Sequence, residues 1–213
     1  MVDFVGEEKA VGLLDAPVEA FKAALYTEAV EMAHYIPEVS RKNEGFLTSG
    51  QVNYVCRAGN FRKSGLNYTG ALRVLKVMLG YEYLWVNVRV KGGAYGCMCS
   101  FGRSGDSYFV SYRDPNLGRT IDIYEKAADA IAEFTADERT MTQYIIGAVS
   151  DLDVPMNPAA KGLYSLSAYM TGLDDAALQR EREELLSATV EDIRALSAHC
   201  LLYTSDAADD LTR

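Results

Sequence analysis

Short alternating runs mark the strands of this chain. In QVNYVCRAG, Val52, Tyr54 and Cys56 alternate with Asn53 and Val55, the two-residue period of a β-strand. GCMCSFG and SYFVSYR read as two further strands, joined by RSGDS in a hairpin-like loop. VDFV, at residues 2–5, reads as the end of another strand. The period then changes. APVEAFKAALYTEAVEMAHYI sets Val18, Phe21, Leu25 and Val30 near one helical face, and Pro37 ends it. RKNEGFLTSG is polar and turn-rich, a loop.

NYTGALRVLKVMLG spaces Leu72, Leu75 and Leu79 as a helix, with Gly80 placed to cap its C-terminus. DPNLGRTIDIYEKAADAIAEF reads as one long helix with Ile121, Tyr124, Ala128 and Ile131 on a stripe. TADERTMTQYIIGAVSDLD opens with a capping-box pattern, Thr135 and Glu138, and ends before Pro155 and Pro158. AAKGLYSLSAYMTG, DDAALQREREELLSA and TVEDIRALSAH add three helices, the last with Thr189 and Asp192 as a start signal. Antiparallel strands followed by helices predict an α+β fold, one antiparallel sheet packed on helices. The strand–helix alternation of a doubly wound nucleotide-binding domain is missing, and no internal repeat is visible.

Composition narrows the function classes. With 213 residues, 49% of them hydrophobic, the chain can build a substantial core. A formal charge of −9 argues against a nucleic-acid partner. No apolar run approaches the roughly 20 residues of a membrane span, so no membrane partner is expected. The opening MVDFVGEEKAVG carries acids where an export signal has basic residues. These features fit a soluble protein of the cytoplasm or an organelle. Cys56, Cys97, Cys99 and Cys200 form no C-x-x-C pair and read as reduced core thiols, Cys97 and Cys99 on one strand face.

The stretch VRVKGGAYG, residues 88–96, is the candidate for chemistry. It is no phosphate loop: Lys91 precedes the glycines and no Lys-Ser/Thr follows. It lacks the spacing and following helix of a dinucleotide fingerprint. As a turn, Gly92 and Gly93 would supply positive φ and Gly96 a close backbone approach. LWVNVRV, just before it, alternates like a strand.

Together with KNEGFLTSGQVNYV, SYFVSYRDPN, FTADERTMTQYIIGAVSDLDVPMNPAAKG and REREELLSATVEDIRALS, this stretch resembles the presequence-protease branch of the insulinase/pitrilysin-type zinc metallopeptidases, over about residues 42–199. The resemblance implies a clamshell of two halves, each of two related α+β domains, around a chamber that admits short unstructured peptides. It implies that this chain is the fourth, C-terminal domain, lacking its final strand and helix. Residues 1–41 are then an edge strand, helix and linker from the preceding boundary. From Cys200, CLLYTSDAADD resembles a translated sequencing adapter, so residues 200–213 read as an artefact. Loss of a strand would leave an edge uncovered and favour self-association.

By motif matching, Arg89 and Tyr95 are the catalytic pair that such a half contributes. Arg89 would fix a substrate carbonyl, and Tyr95 would donate to the oxygen that gains negative charge. Gly92, Gly93 and Gly96 would bind substrate by letting its backbone come close. The resemblance also replaces the strand reading of LWVNVRV by a short helical turn carrying Arg89, with a strand beginning near Tyr95. Zinc belongs to the intact parent, held by an inverted His-x-x-Glu-His motif in the missing N-terminal half, the partner of this part along with the peptide. This chain has two histidines and no such motif. The His34–Glu31 pair, one helical turn apart, reads as a surface contact, and no metal is expected here. The fragment alone is expected to be inactive. The alternative is a non-catalytic peptide-binding or structural homologue of the same fold.

Overall fold

The computed structural model describes residues 2–28 and 49–201. Val30, Glu31, His34, Pro37, most of the RKNEGFLTSG loop and residues 202–213 lie outside that range. Residues 2–5 belong to no strand. After them come a one-turn helix, α1 (Glu8–Val11), and α2 (Asp15–Ala24).

Strand β1 (Asn53–Asn60) leads through a 3-10 turn, Phe61–Ser64, to α3 (Ala71–Met78). Gly80 does not end this helix. The chain continues from α3 into a π-helical segment, Leu79–Val90. The strand-like alternation of LWVNVRV is therefore overturned. Leu84 and Val88, both fully buried, are four residues apart, so the same positions satisfy a helical face. The widened turn shows in the bond from Lys91 N–H to the Val86 carbonyl at 3.0 Å, five residues back.

β2 (Gly96–Phe101) and β3 (Asp106–Asp114) form the predicted hairpin. The sheet is antiparallel in the order β1–β3–β2, giving the α+β class. Its inner face carries Val55, Cys99, Phe101 and Phe109, while Tyr54, Cys56, Met98 and Tyr108 face outward. In β1 the buried residue is thus Val55, 3% exposed, and not Tyr54, 74% exposed. Cys56 is accordingly exposed and not a core thiol, whereas Cys99 and Cys200 are buried and Cys97 half-buried.

The stretch expected as one long helix is two, α4 (Gly118–Glu125) and α5 (Ala127–Ala132). Lys126, with ψ near 0°, interrupts the run, yet Tyr124, Ala128 and Ile131 still share the buried stripe. In α6 (Glu138–Leu152) the cap is Asp137, whose carboxylate accepts the Thr140 N–H at 2.8 Å, and not Thr135. α7 (Pro158–Thr171) starts on Asn157 with Pro158 in its first turn. α8 (Asp175–Leu186) precedes α9 (Val190–Ala195), which has the expected capping box of Thr189 and Asp192. α10 (Ser197–Leu201) carries buried His199 and Cys200, running two residues beyond the expected stop.

The chain divides into two compact units. In one, α1 and α2 group with α7, and these helices bury no residue fully. In the other, β2 lies against the π-helical segment, α3 packs on α6, and α5 packs on α9 and α10. Phe61, Leu72, Leu75, Leu79, Phe109 and Tyr124 anchor its core. Phe109 stacks on Tyr124 with ring centroids 5.5 Å apart.

Candidate functional site

Arg89 lies in the last turn of the π-helical segment and Tyr95 immediately before β2. Five residues connect them, and the turn closes on itself. The Gly93 N–H donates to the Arg89 carbonyl at 2.8 Å, and the Ala94 N–H to the Val88 carbonyl at 3.2 Å. Two backbone bonds thus tie the loop to the helix end that carries Arg89.

The glycines divide by role. Gly93 has φ +81°, a conformation that side chains rarely adopt. Gly92 does not have positive φ, contrary to expectation; a Cβ there would collide with the Val88 carbonyl oxygen. Gly96 is buried, and a Cβ on it would strike the Tyr112 ring.

Side chains around the loop are equally specific. The Arg89 guanidinium sits 3.8 Å above the Trp85 ring, one helical turn back. It is also close enough to Cys97 to act on it: burial pushes that thiol up to about 11, opposed by the Arg89 charge and reinforced by Asp114. Tyr95 is 60% exposed, with its ring tilted against Tyr112 at 5.5 Å. Among the described residues, neither the Arg89 guanidinium nor the Tyr95 hydroxyl has a hydrogen-bond or ion-pair partner. Both are half-exposed or exposed polar groups free to donate.

A buried network underlies the loop, and the sequence reading missed it. Asp114 is fully buried at the end of β3. Its Oδ2 accepts the hydroxyls of Ser111 at 2.6 Å and Thr120 at 2.7 Å, and its Oδ1 accepts the Asn116 N–H at 2.8 Å. The Asn116 side-chain amide donates to the Gly92 carbonyl at 2.5 Å. Asp114 thus holds the 114–116 turn, and that turn holds the glycine loop. The Asp-Pro-Asn run was the available signal, since Asp before Pro favours a side-chain-bonded turn.

No cluster of three or more His, Cys, Asp or Glu side chains suited to a metal occurs among the described residues. His199 is buried, with Nε2 3.0 Å from the Asn67 carbonyl and its ring 4.8 Å from Phe61. Among the described residues, then, His199 stands apart from any group of side chains that would fit zinc. Among the described residues no helix is long and apolar enough to cross a membrane.

A profile of the PreP C-terminal domain matches residues 43–204. Protein HypA of Clostridium perfringens is 40% identical over 197 residues, covering 92% of this chain and 20% of that protein. Presequence protease 1, chloroplastic/mitochondrial, of Arabidopsis thaliana is 40% identical over 154 residues, covering 72% of this chain and 14% of that protein. This chain thus spans a fifth or less of the length of these relatives. In fold it is similar to the periplasmic protease PqqL of Escherichia coli, with a TM-score of 0.56 at 16% identity over 92% of this chain and 23% of that one.

Proposed function

The chain belongs to the PreP C-terminal domain family, a family of proteases, and from that premise we propose that it is the C-terminal part of a zinc metalloendopeptidase acting on short unstructured peptides. In this reading Arg89 holds a backbone carbonyl of the substrate through its planar, permanently charged fork. Tyr95 donates its hydroxyl to the carbonyl oxygen on which negative charge develops, the role of an oxyanion donor. Gly92, Gly93 and Gly96 keep the surface beside the pair free of side chains. Metal ligands would come from the part of the protein outside this chain, and the 213-residue chain alone is expected to cleave nothing.

One observation carries the reading: Arg89 and Tyr95 stand at the two ends of a single bonded loop, with no partner for either polar end among the described residues.

Steady-state cleavage of an unstructured peptide by the full-length protein tests it. Tyr95→Phe should lower kcat by about 10²–10³ with little change in KM. Arg89→Lys, which keeps the charge but loses the fork, should lower kcat/KM by about tenfold or more. Wild-type kcat in Tyr95→Phe would remove the oxyanion role. Chelator-sensitive cleavage by the isolated chain would remove the division of labour.

A further inference from the structure

The motif SYFVSYRDPN contributes a residue that the catalytic pair leaves unexplained. In the β1–β3 ladder Tyr54 pairs with Tyr112 and Asn53 with Asp114, so Arg113 is an extra residue, a β-bulge. Its φ is +49°, the one positive value outside glycine among the described residues. A bulge residue in the left-handed region is where a strand normally carries glycine, because any Cβ there is strained. Arginine thus stands where glycine would be unstrained, which makes its side chain a candidate for a role.

The bulge aims that side chain at Tyr95. The Arg113 guanidinium carbon lies 5.5 Å from the centroid of the Tyr95 ring. The Tyr95 N–H donates to the Arg113 carbonyl at 3.3 Å, so the same residue holds both the backbone and the ring. Tyr112 contacts the ring as well, at 5.5 Å. The bulge itself is pinned by the buried Asp114 side chain and by the Asn53 side-chain amide, which donates to the Asp114 carbonyl at 3.1 Å. Among the described residues the Arg113 guanidinium has no hydrogen-bond or ion-pair partner, although it is exposed. The guanidinium lies against the Tyr95 ring.

We propose that Arg113 is a positioning residue for Tyr95: the bulge places its guanidinium against the phenol ring and restricts the directions in which an otherwise exposed hydroxyl can point. The inference rests on the reading of Tyr95 as the donor to the substrate carbonyl. Orientation of that donor is what the rate depends on, so the effect falls on kcat and not on substrate affinity.

The test uses the full-length protein and an unstructured peptide substrate. Arg113→Gly removes the guanidinium and also relieves the backbone strain. It should melt at or above the wild-type temperature while kcat falls about tenfold, with KM within about twofold. Arg113→Lys, which retains a cation over the ring, should recover part of that loss. Arg113→Gly combined with Tyr95→Phe should be no slower than Tyr95→Phe alone, because Arg113 acts through the hydroxyl that is already gone. Wild-type kcat in Arg113→Gly, with Tyr95→Phe impaired, overturns this inference and leaves the role of Tyr95 standing. Additive losses in the double variant also overturn it, since Arg113 would then act on the substrate itself. Wild-type kcat in Tyr95→Phe overturns both.

Discussion

The backbone N–H of Gly70 donates to Glu184 Oε2 at 2.7 Å, so a carboxylate of α8 caps the first turn of α3. The Thr69 hydroxyl donates to the same oxygen at 2.9 Å. Negative charge at a helix N-terminus is favourable, and the contact brings the two backbones close. A Cβ on Gly70 would lie 2.8 Å from the Leu185 nitrogen and would collide with the Glu181 carbonyl oxygen. Helical backbone on both sides cannot yield. Gly70→Ala should therefore destabilise the sheet-bearing unit by about 3 kcal/mol, read from urea unfolding. A change under about 0.5 kcal/mol would refute so tight an approach.

Acid should loosen the same junction. Glu181 is buried on α8, with Arg73 and Tyr68 on one carboxylate oxygen and Arg103 on the other. Burial pushes its carboxyl up, but the hydrogen bonds from Arg103, Arg73 and Tyr68 outweigh burial and hold it below the usual glutamate value. A depressed folded pKa contributes stability that is complete above the unfolded value, near 4.5, and is lost as pH falls through the folded one. Glu181→Gln should cost about 2 kcal/mol at pH 7, and its gap to wild type should narrow as the pH falls below the unfolded value and through the depressed folded one. Unfolding curves across that range check it; a gap independent of pH would assign the loss to packing.

Asp114 and Asn116 should affect the glycine loop without touching it directly or only through one bond. Asp114→Asn leaves the Ser111 and Thr120 hydroxyls competing for fewer acceptors in a fully buried site, an expected loss of about 2 kcal/mol. Asn116→Ala frees only the Gly92 carbonyl and should cost about 1 kcal/mol. Both should speed hydrogen exchange at the Gly93 and Ala94 amides, whose bonds to the helix end depend on the loop being held. Unchanged exchange in Asp114→Asn would sever the link between network and loop.

Local signals were legible where one stretch of chain decides the outcome. Thr189 and Asp192 form their capping box, and GCMCSFG and SYFVSYR form their hairpin, because each needs only neighbouring residues. Leu84 and Val88 were ambiguous because spacing by four fits a helix and a strand equally, and the decision came from packing against β2. Tyr54 and Val55 were equally undecided in a strand with apolar residues on both faces. Arg89 and Tyr95 were singled out through family motifs. Arg113 was not, because a bulge exists only relative to the register of a partner strand.

Gly92 and Gly93 separate steric need from conformational need within one loop. At Gly93 a Cβ would meet only the Pro115 side chain, at an ordinary 3.5 Å, so its requirement is the φ of +81°. Asparagine visits that region with little penalty, and Gly93→Asn should lose no more than about 1 kcal/mol. At Gly92 the added Cβ would drive against the Val88 carbonyl and lie 3.0 Å from the Asn87 carbonyl oxygen. The helix end would have to open, straining the bond from the Ala94 N–H to Val88 and shifting Tyr95 relative to Arg89. Gly92→Ala should therefore cost about 2 kcal/mol in unfolding experiments and, in the full-length protein, lower kcat about tenfold or more. Equal damage from Gly92→Ala and Gly93→Asn would mean that the loop is sensitive to any change and that the contact with Val88 is not what sets it.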